Sequence, residues 1–188
     1  MRRPLFAVPA LAFAVALAGC SSPAPTESGD SAPSVDAAPA AGETISGNGY
    51  TYALPADWGV PSDVGGVSGF DTLAADLTDD DGFADNVNVV ISPAGVITAE
   101  QVESQGVDEL ESAGASDVTV KDRVSVAGAE SAHVSARLAT QGVEYLIEQY
   151  YVSSEDQTCV VTFSFSADVP EGDRREVAES VLASWSWA

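Results

Sequence analysis

Residues that could take part in chemistry are concentrated in two parts of this 188-residue sequence. In the first, two segments that alternate polar and apolar residues flank Gln141-Gly142, a spacing that suits a β-hairpin turn. Residues at equal distances from such a turn lie opposite each other, so His133 faces Tyr150 and Arg137 faces Leu146. The same face also carries Ser135, Ala139, Glu144 and Glu148.

This face allows two interpretations. One is a shallow ligand-binding surface formed by His133, Arg137 and Tyr150, with Trp58 as a further aromatic contact for a sugar or an acyl chain. The other is an ordinary cross-strand charge pattern, in which Arg137 lies diagonal to the two glutamates and contributes little to stability. Catalysis by His133 would need a nucleophile and an orienting acid within about 3 Å, and the sequence has no G-x-S-x-G motif.

The second part is an acidic segment, residues 78–86, in which Asp79, Asp81 and Asp85 could supply oxygen ligands to Ca²⁺ or Mn²⁺. The spacing fails as an EF-hand loop, because placing Gly82 at position 6 leaves no glutamate at position 12. A solvated loop of mutually repelling carboxylates is therefore the first interpretation, and cation binding is the alternative. Two cysteines and one histidine cannot make a four-ligand zinc site, and no cofactor is predicted.

The N-terminus has the features of a processing signal. Arg2 and Arg3 precede a short apolar run, and Leu17-Ala-Gly-Cys20 resembles the lipobox of bacterial lipoproteins. This resemblance implies cleavage after residue 19 and a diacylglycerol on Cys20, which would hold the protein at a membrane. We therefore expect the extracytoplasmic face of the cell membrane, or the outer membrane in a cell that has two, because Ser21 permits such sorting.

The amino-acid composition predicts how the rest of the chain is divided into linker and domain. Residues 20–48 are rich in Ser, Pro, Ala and Gly, which predicts a disordered linker after the lipidated cysteine and a globular domain at 49–188. The formal net charge is −22, and loss of Arg2 and Arg3 with residues 1–19 makes it −24. Phosphate backbones repel such a chain, so a nucleic acid is excluded as a partner.

The globular part combines strand and helix patterns. A capping box at Thr98–Gln101, with Gly114 as a C-terminal cap, predicts one amphipathic helix, and a second box at Asp173–Glu176 predicts another. Predicted strands cover 50–54, 70–77, 87–91, 117–126, 129–140, 143–152 and 157–167. The order βββ-α-ββββ-α predicts an α+β protein with an antiparallel sheet of six or seven strands and two packed helices.

Four segments extend this prediction to a family. They are Tyr50-Thr-Tyr-Ala-Leu-Pro-Ala-Asp-Trp58, Asn86-Val-Asn-Val-Val90, Val126-Ala-Gly-Ala-Glu-Ser-Ala132 and Val181-Leu-Ala-Ser-Trp185. Together they resemble the PsbP-like α/β/α sandwich, and most closely small bacterial lipoproteins of the LpqN and DcrB type. Members of that fold are generally binding or adaptor proteins rather than enzymes, and the LpqN type is linked to transport of envelope lipids.

The leading expectation is therefore a non-enzymatic, lipid-anchored cell-envelope protein. Its expected partners are the membrane, through the lipid on Cys20, and an envelope protein, lipid or glycolipid as ligand. An extracytoplasmic Ca²⁺ or Mn²⁺ binder is the second expectation and an envelope hydrolase the third. The resemblance provides no catalytic residues.

Overall fold

A computed structural model describes residues 32–62 and 68–188 of the chain. The predicted signal peptide, 1–19, and the predicted lipidation site, Cys20, lie outside these ranges. No helix in the described ranges is long and apolar enough to cross a membrane.

The main sheet has seven antiparallel strands in the order β3-β4-β5-β9-β8-β7-β6. They are β3 (Trp58–Gly59), β4 (Thr72–Asp76), β5 (Asn86–Ile91), β6 (Ser116–Val126), β7 (Ala129–Thr140), β8 (Val143–Ser153) and β9 (Thr158–Ser166). A smaller sheet consists of β1 (Thr44–Ser46), β2 (Tyr50–Ala53) and β10 (Ser186–Trp187), with β2 in the centre.

The two predicted helices are both present. The first has α-helical turns at Ala99–Gln101 and Val107–Ser112 on either side of a π-helical segment, Val102–Gly106. Its predicted capping box is confirmed, because the Thr98 hydroxyl accepts from the Gln101 N–H and the Gln101 side chain accepts from the Thr98 N–H. These bonds satisfy N–H groups that have no partner within the helix.

The C-terminal helix runs over Glu171–Ala183. The capping box predicted at Asp173 is wrong, because Pro170 is the N-cap and Asp173 already lies in the first turn. Proline suits this boundary, since a residue at the start of a helix needs no N–H partner. The carboxylates of Glu171 and Asp173 lie in the first turn, where they stabilise the helix by their interaction with the positive end of its dipole.

Each face of the main sheet has its own hydrophobic core. Alternation along β5 places Val87 and Val89 on one face and Asn86 and Asn88 on the other. The small sheet and the C-terminal helix cover the first face, and the first helix covers part of the second. The α+β class and the antiparallel seven-stranded sheet agree with the prediction.

The strand predicted at 50–54 belongs to the small sheet rather than to the main one. Tyr50 and Tyr52 of β2 are fully buried between the two sheets, and both phenol oxygens lie within 3.0–3.1 Å of the Thr72 hydroxyl on β4. This burial raises the pKa of Tyr52 to about 12. The strand therefore packs across the main sheet, and the short β3 completes the seven strands.

Part of the predicted linker is packed against the domain. Ser34 forms a parallel bridge with Ser125 on β6, the Ala40 N–H donates to the Ser180 carbonyl at 2.8 Å, and Thr44–Ser46 forms β1. The predicted boundary at 49 therefore lies inside folded structure. Composition did not indicate this, because backbone hydrogen bonds, which need no large apolar side chains, are joined by only a few apolar contacts, such as those of Val35 and Ile45 with the first core.

Arg123 links β6 to the first helix. Its guanidinium forms a two-pronged ion pair with the Glu103 carboxylate at 2.6 and 2.8 Å, and it also contacts Glu100 at 2.7 Å. Such planar, bidentate contacts are the strongest that arginine makes. They fix the helix over the second face of the sheet, beside the polar residues described below.

Candidate functional site

The predicted hairpin register is confirmed. His133 pairs with Tyr150 across β7 and β8, and Arg137 pairs with Leu146. The remaining predicted pairs are Ser135 with Glu148 and Ala139 with Glu144. All these residues share the sheet face that the C-terminal helix partly covers.

His133 lies in a buried ionic cluster at this position. Its Nε2 atom is 2.8 Å from one oxygen of Glu148, and the other oxygen accepts from Nε of Arg174 at 3.0 Å. Glu148 is 2 % exposed, His133 8 % and Arg174 9 %. Arg174 also donates to the Val169 carbonyl at 2.7 Å. The cluster therefore joins β7 and β8 to the start of the C-terminal helix.

Tyr150 belongs to the same cluster through its ring. It stacks on the His133 imidazole with the ring centres 4.1 Å apart, and it meets Phe163 edge to face. Burial, followed by the nearby Glu148 carboxylate, raises the pKa of the Tyr150 hydroxyl. That hydroxyl has no hydrogen-bond partner among the described residues. Tyr150 is thus a core residue and is closed to an external ligand in this structure.

The contacts of this cluster attach the C-terminal helix to the sheet and do not form a substrate site. Both oxygens of Glu148 are occupied, and the carboxylate compensates the buried charge of Arg174. Sequence reasoning missed Arg174. A signal was present, because Arg174 lies four and seven residues before Ala178 and Val181, on the buried face of the helix.

The other predicted site residues lie apart from this cluster. Arg137 is at the surface, where it contacts Asp117 and Glu144 at 3.5 Å and does not reach Glu148. Trp58 is 9 % exposed in β3, at the far edge of the main sheet, and packs in the first core. The structure therefore brings His133 and Tyr150 together but does not bring Arg137 or Trp58 to them.

The acidic segment forms the β4–β5 loop, residues 77–85. Asp79 accepts from the backbone N–H groups of Asp81 and Asp85, and Asp81 accepts from that of Phe83. Asp85 accepts from the Ser166 N–H on β9 at 2.8 Å. No three His, Cys, Asp or Glu side chains come together as a metal site in ranges 32–62 and 68–188. The structure thus gives the cation hypothesis no ligand set.

A wide groove of about 760 Å³ lies at one end of the main sheet. Trp187 and Ala188 border it, together with the β6–β7 turn, the β8–β9 turn and the Asn48–Gly49 turn. Its polar side chains are Asn48, Ser153, Ser154, Glu155, Asp156 and Gln157. The half-buried Trp187 ring meets Trp185 edge to face at 5.6 Å. Three separate turns and the C-terminal residues form this groove, so no local sequence pattern predicts it.

A second feature is a polar strip on the opposite sheet face. Uncharged side chains from three neighbouring strands form it: Asn86, Asn88, Gln149, Thr162 and Ser164. A small cleft over the strip, with walls of Leu138, Tyr145 and Ile147, has a volume of about 10 Å³. That is room for about one water molecule. Phe83 of the β4–β5 loop stacks on Tyr145 at the side of this cleft, with ring centres 5.3 Å apart.

Comparison with solved structures finds a likeness in fold. The crystal structure of LpqN, involved in cell envelope biogenesis of Mycobacterium tuberculosis, superposes with a TM-score of 0.50 over 77 % of this chain and 88 % of that protein. The fold is similar to that of LpqN. The two sequences are 11 % identical, so the likeness to LpqN concerns the fold alone.

A crystal structure from Bacteroides thetaiotaomicron gives a TM-score of 0.47 at 14 % identity over 74 % of this chain. The match spans 45 % of that longer protein, and the fold comparison therefore rests on LpqN. No family model matches the sequence. No curated protein matches it either.

Proposed function

We propose that this chain is a PsbP-like, lipid-anchored and non-enzymatic binding or adaptor protein of the bacterial cell envelope. The observation that carries the proposal is the shared fold with LpqN, which is described as involved in cell envelope biogenesis. The lipobox-like Leu17-Ala-Gly-Cys20 is an independent argument for the same location. In this proposal the lipid on Cys20 holds the domain on the outer side of a membrane.

A binding role, rather than a catalytic one, is supported by the buried position of His133. The single histidine of the chain lies against Glu148 and under the C-terminal helix, where it is 8 % exposed. A general base must reach the proton of a bound substrate, within hydrogen-bond distance or through one water. The buried position of His133 therefore favours a structural role. In this proposal a partner binds at the outer surface of the domain.

The groove beside Trp187 is the surface that we propose for ligand contact. The Trp187 indole meets Trp185 edge to face, and Trp185 in turn stacks on Tyr50 and Tyr52 with planes within 10° of parallel. The walls of the same groove carry hydroxyl, amide and carboxylate groups. An aromatic platform with convergent polar groups fits the head group of a glycolipid, because the sugar offers both apolar C–H faces and hydroxyls.

Cys20→Ser tests the anchor. The full chain, expressed in a bacterium that processes lipoproteins, is expected in the detergent phase after Triton X-114 partition. A Cys20→Ser variant whose residues 1–19 are replaced by a secretory signal peptide that is cleaved without lipidation is expected in the aqueous phase, because two acyl chains supply nearly all of the membrane affinity. Intact-mass analysis of the purified chain checks cleavage before Cys20. Equal partition of both proteins would show that a lipid on Cys20 does not attach the chain to a membrane.

Trp187→Ala tests the groove. With octyl glucoside below its critical micelle concentration as probe, we expect saturable binding by the parent protein and affinity about tenfold weaker in the variant, a typical loss for a truncated aromatic contact. Isothermal calorimetry measures both. Val143→Ala is the matched control, because Val143 is 37 % exposed beside the turn at the opposite end of β8. Identical affinity in all three proteins would exclude the groove.

A further inference from the structure

The first described residues form a strap, residues 32–41, that leads from the edge of the main sheet to the small sheet. The strap ends at Gly42, whose N–H donates to the Leu54 carbonyl at 2.8 Å. A Cβ atom at position 42 would lie 2.6 Å from this carbonyl oxygen and 2.7 Å from that of Pro55, so the close approach requires glycine. Beyond Gly42 the chain pairs with β2 as β1. Gly42 therefore marks the boundary between the strap and the firmly held chain.

Hydrogen bonds attach the other end of the strap to the edge of the main sheet. The Ser125 N–H donates to the Pro33 carbonyl at 2.8 Å, and the Val35 N–H donates to the Ser125 carbonyl at 3.3 Å. The Ala32 N–H also donates to the Glu130 carboxylate at 3.2 Å. Ser125 lies on β6, the outermost strand, so this end of the strap extends the sheet by one parallel bridge.

The rest of the strap makes few contacts with the domain. The Ala40 N–H donates to the Ser180 carbonyl of the C-terminal helix at 2.8 Å. Residues 36–38 border an open groove of about 420 Å³ beside this helix. No residue of the strap is buried, and the strap side chains that pack against the first core are those of Val35 and Ala40. The strap is therefore held by these two partly buried side chains and a few hydrogen bonds.

Two opposing effects determine the stability of the attached strap. Attachment restricts the backbone of every strap residue, which costs conformational entropy, although φ of Pro33 and Pro39 is restricted in any state. The hydrogen bonds each have a small net value, because water replaces them on release, and the apolar contribution is limited to the partial burial of Val35 and Ala40. The free energy that holds the strap is therefore a small difference between these effects.

We propose that residues 32–41 detach from the domain as one unit, with Gly42 as the hinge, and that the attached state in the structure exchanges with a minor released state. Release exposes the backbone of Ser125 at the edge of β6. In the lipid-anchored form proposed above, release would also lengthen the greatest distance between the lipid on Cys20 and the held part of the domain from about 40 Å to about 75 Å. Release itself requires no lipid, so its test is independent of the anchor.

Hydrogen exchange, measured by NMR on the purified protein, tests the release. The amides of Val35, Ser125 and Ala40 report on the strap, because each of their hydrogen bonds joins the strap to the domain. The Leu54 amide, which donates to the Glu43 carbonyl beyond the hinge, is the reference. We expect equal protection factors for the three strap amides, about a hundredfold below that of Leu54, because release as one unit exposes them together. Strap amides that are as strongly protected as Leu54 would overturn the proposal.

Val35→Asp tests whether the strap moves as a unit. A carboxylate cannot pack against the core as Val35 does, so this substitution favours the released state. We expect the protection factor of the distant Ala40 amide to fall about tenfold and that of Leu54 to stay constant. Ala41→Asp is the matched control, because it adds the same charge to the strap at an exposed position, and its protection factors should equal those of the parent protein.

The Ala40 amide separates release of the whole strap from fraying of its end. If Val35→Asp lowers the protection of Val35 and Ser125 but leaves that of Ala40 unchanged, only the end of the strap moves and the proposal is wrong. An Ala41→Asp variant that behaves like Val35→Asp would also contradict it, because added charge rather than the lost core contact would then release the strap.

Discussion

Glu148→Ala is expected to lower the free energy of unfolding by about 3–5 kcal/mol, the usual cost of removing one member of a buried ion pair. The substitution would leave the Arg174 guanidinium and the His133 ring in the protein interior without their shared acceptor. It would also remove the ionic contact between β8 and the start of the C-terminal helix. Urea denaturation, followed by circular dichroism, measures the change.

Glu144→Ala provides the matched comparison on the same face of the same strand. The Glu144 side chain is 65 % exposed and its contact to Arg137 is 3.5 Å long, so we expect a loss below about 0.5 kcal/mol. Glu148→Gln keeps the shape of the side chain and should fall between the two. Equal losses for Glu148→Ala and Glu144→Ala would show that the buried cluster does not hold the helix.

Trp185→Ala is the second substitution with a large expected effect, a loss of about 3–5 kcal/mol in the free energy of unfolding. Trp185 is 6 % exposed and stacks on Tyr50 with ring centres 4.5 Å apart. Its removal would open a cavity between the C-terminal helix and the small sheet. Thermal and urea unfolding of the purified domain measure this loss.

Trp185→Phe separates packing from hydrogen bonding at the same position. The indole N–H of Trp185 is buried without a partner among the described residues, and phenylalanine removes that unsatisfied donor. We therefore expect a loss of only about 1 kcal/mol, because an aromatic ring remains in the stack. A loss as large as that of Trp185→Ala would assign an unseen partner to the indole nitrogen.

The local structure of this chain follows closely from its sequence. The Gln141-Gly142 turn fixed the register of β7 and β8, since both residues adopt positive φ angles, 54° and 84°, that such a turn requires. The Thr98 capping box likewise located the start of the first helix. Cys159 alternates with Val161 and Phe163 along β9 and is buried with them, and this burial raises the pKa of its thiol to about 12.

Contacts between segments that are distant in the sequence could not be predicted from local patterns. Arg174 meets Glu148 across 26 residues of sequence, and no local pattern indicates which carboxylate a buried arginine will contact. The Glu148 position was predicted on the correct face, but its partner depends on how the C-terminal helix crosses the sheet. The separation of β2 into a second sheet has the same origin, because one of its two partner strands, β10, lies at the other end of the domain sequence.

The candidate sites show this limit most clearly. Tyr150 and His133 were correctly placed opposite each other, yet a surface role required that no helix cover them. The groove beside Trp187 combines the Asn48–Gly49 turn with two hairpin turns and β10, which are far apart along the chain. Its existence follows from the overall arrangement of strands and not from any one motif.

Because residues 32–48 are attached to the domain, the greatest distance between the domain and a lipid on Cys20 is limited. A linker ending at residue 48 would allow a longer reach, but only residues 21–31 lie between Cys20 and Ala32, the first described residue that contacts the domain. A chain of that length spans at most about 40 Å, however it is arranged. In the proposed lipid-anchored form, Ala32 would thus stay within about 40 Å of the lipid on Cys20, which keeps the domain near proteins embedded in the same membrane.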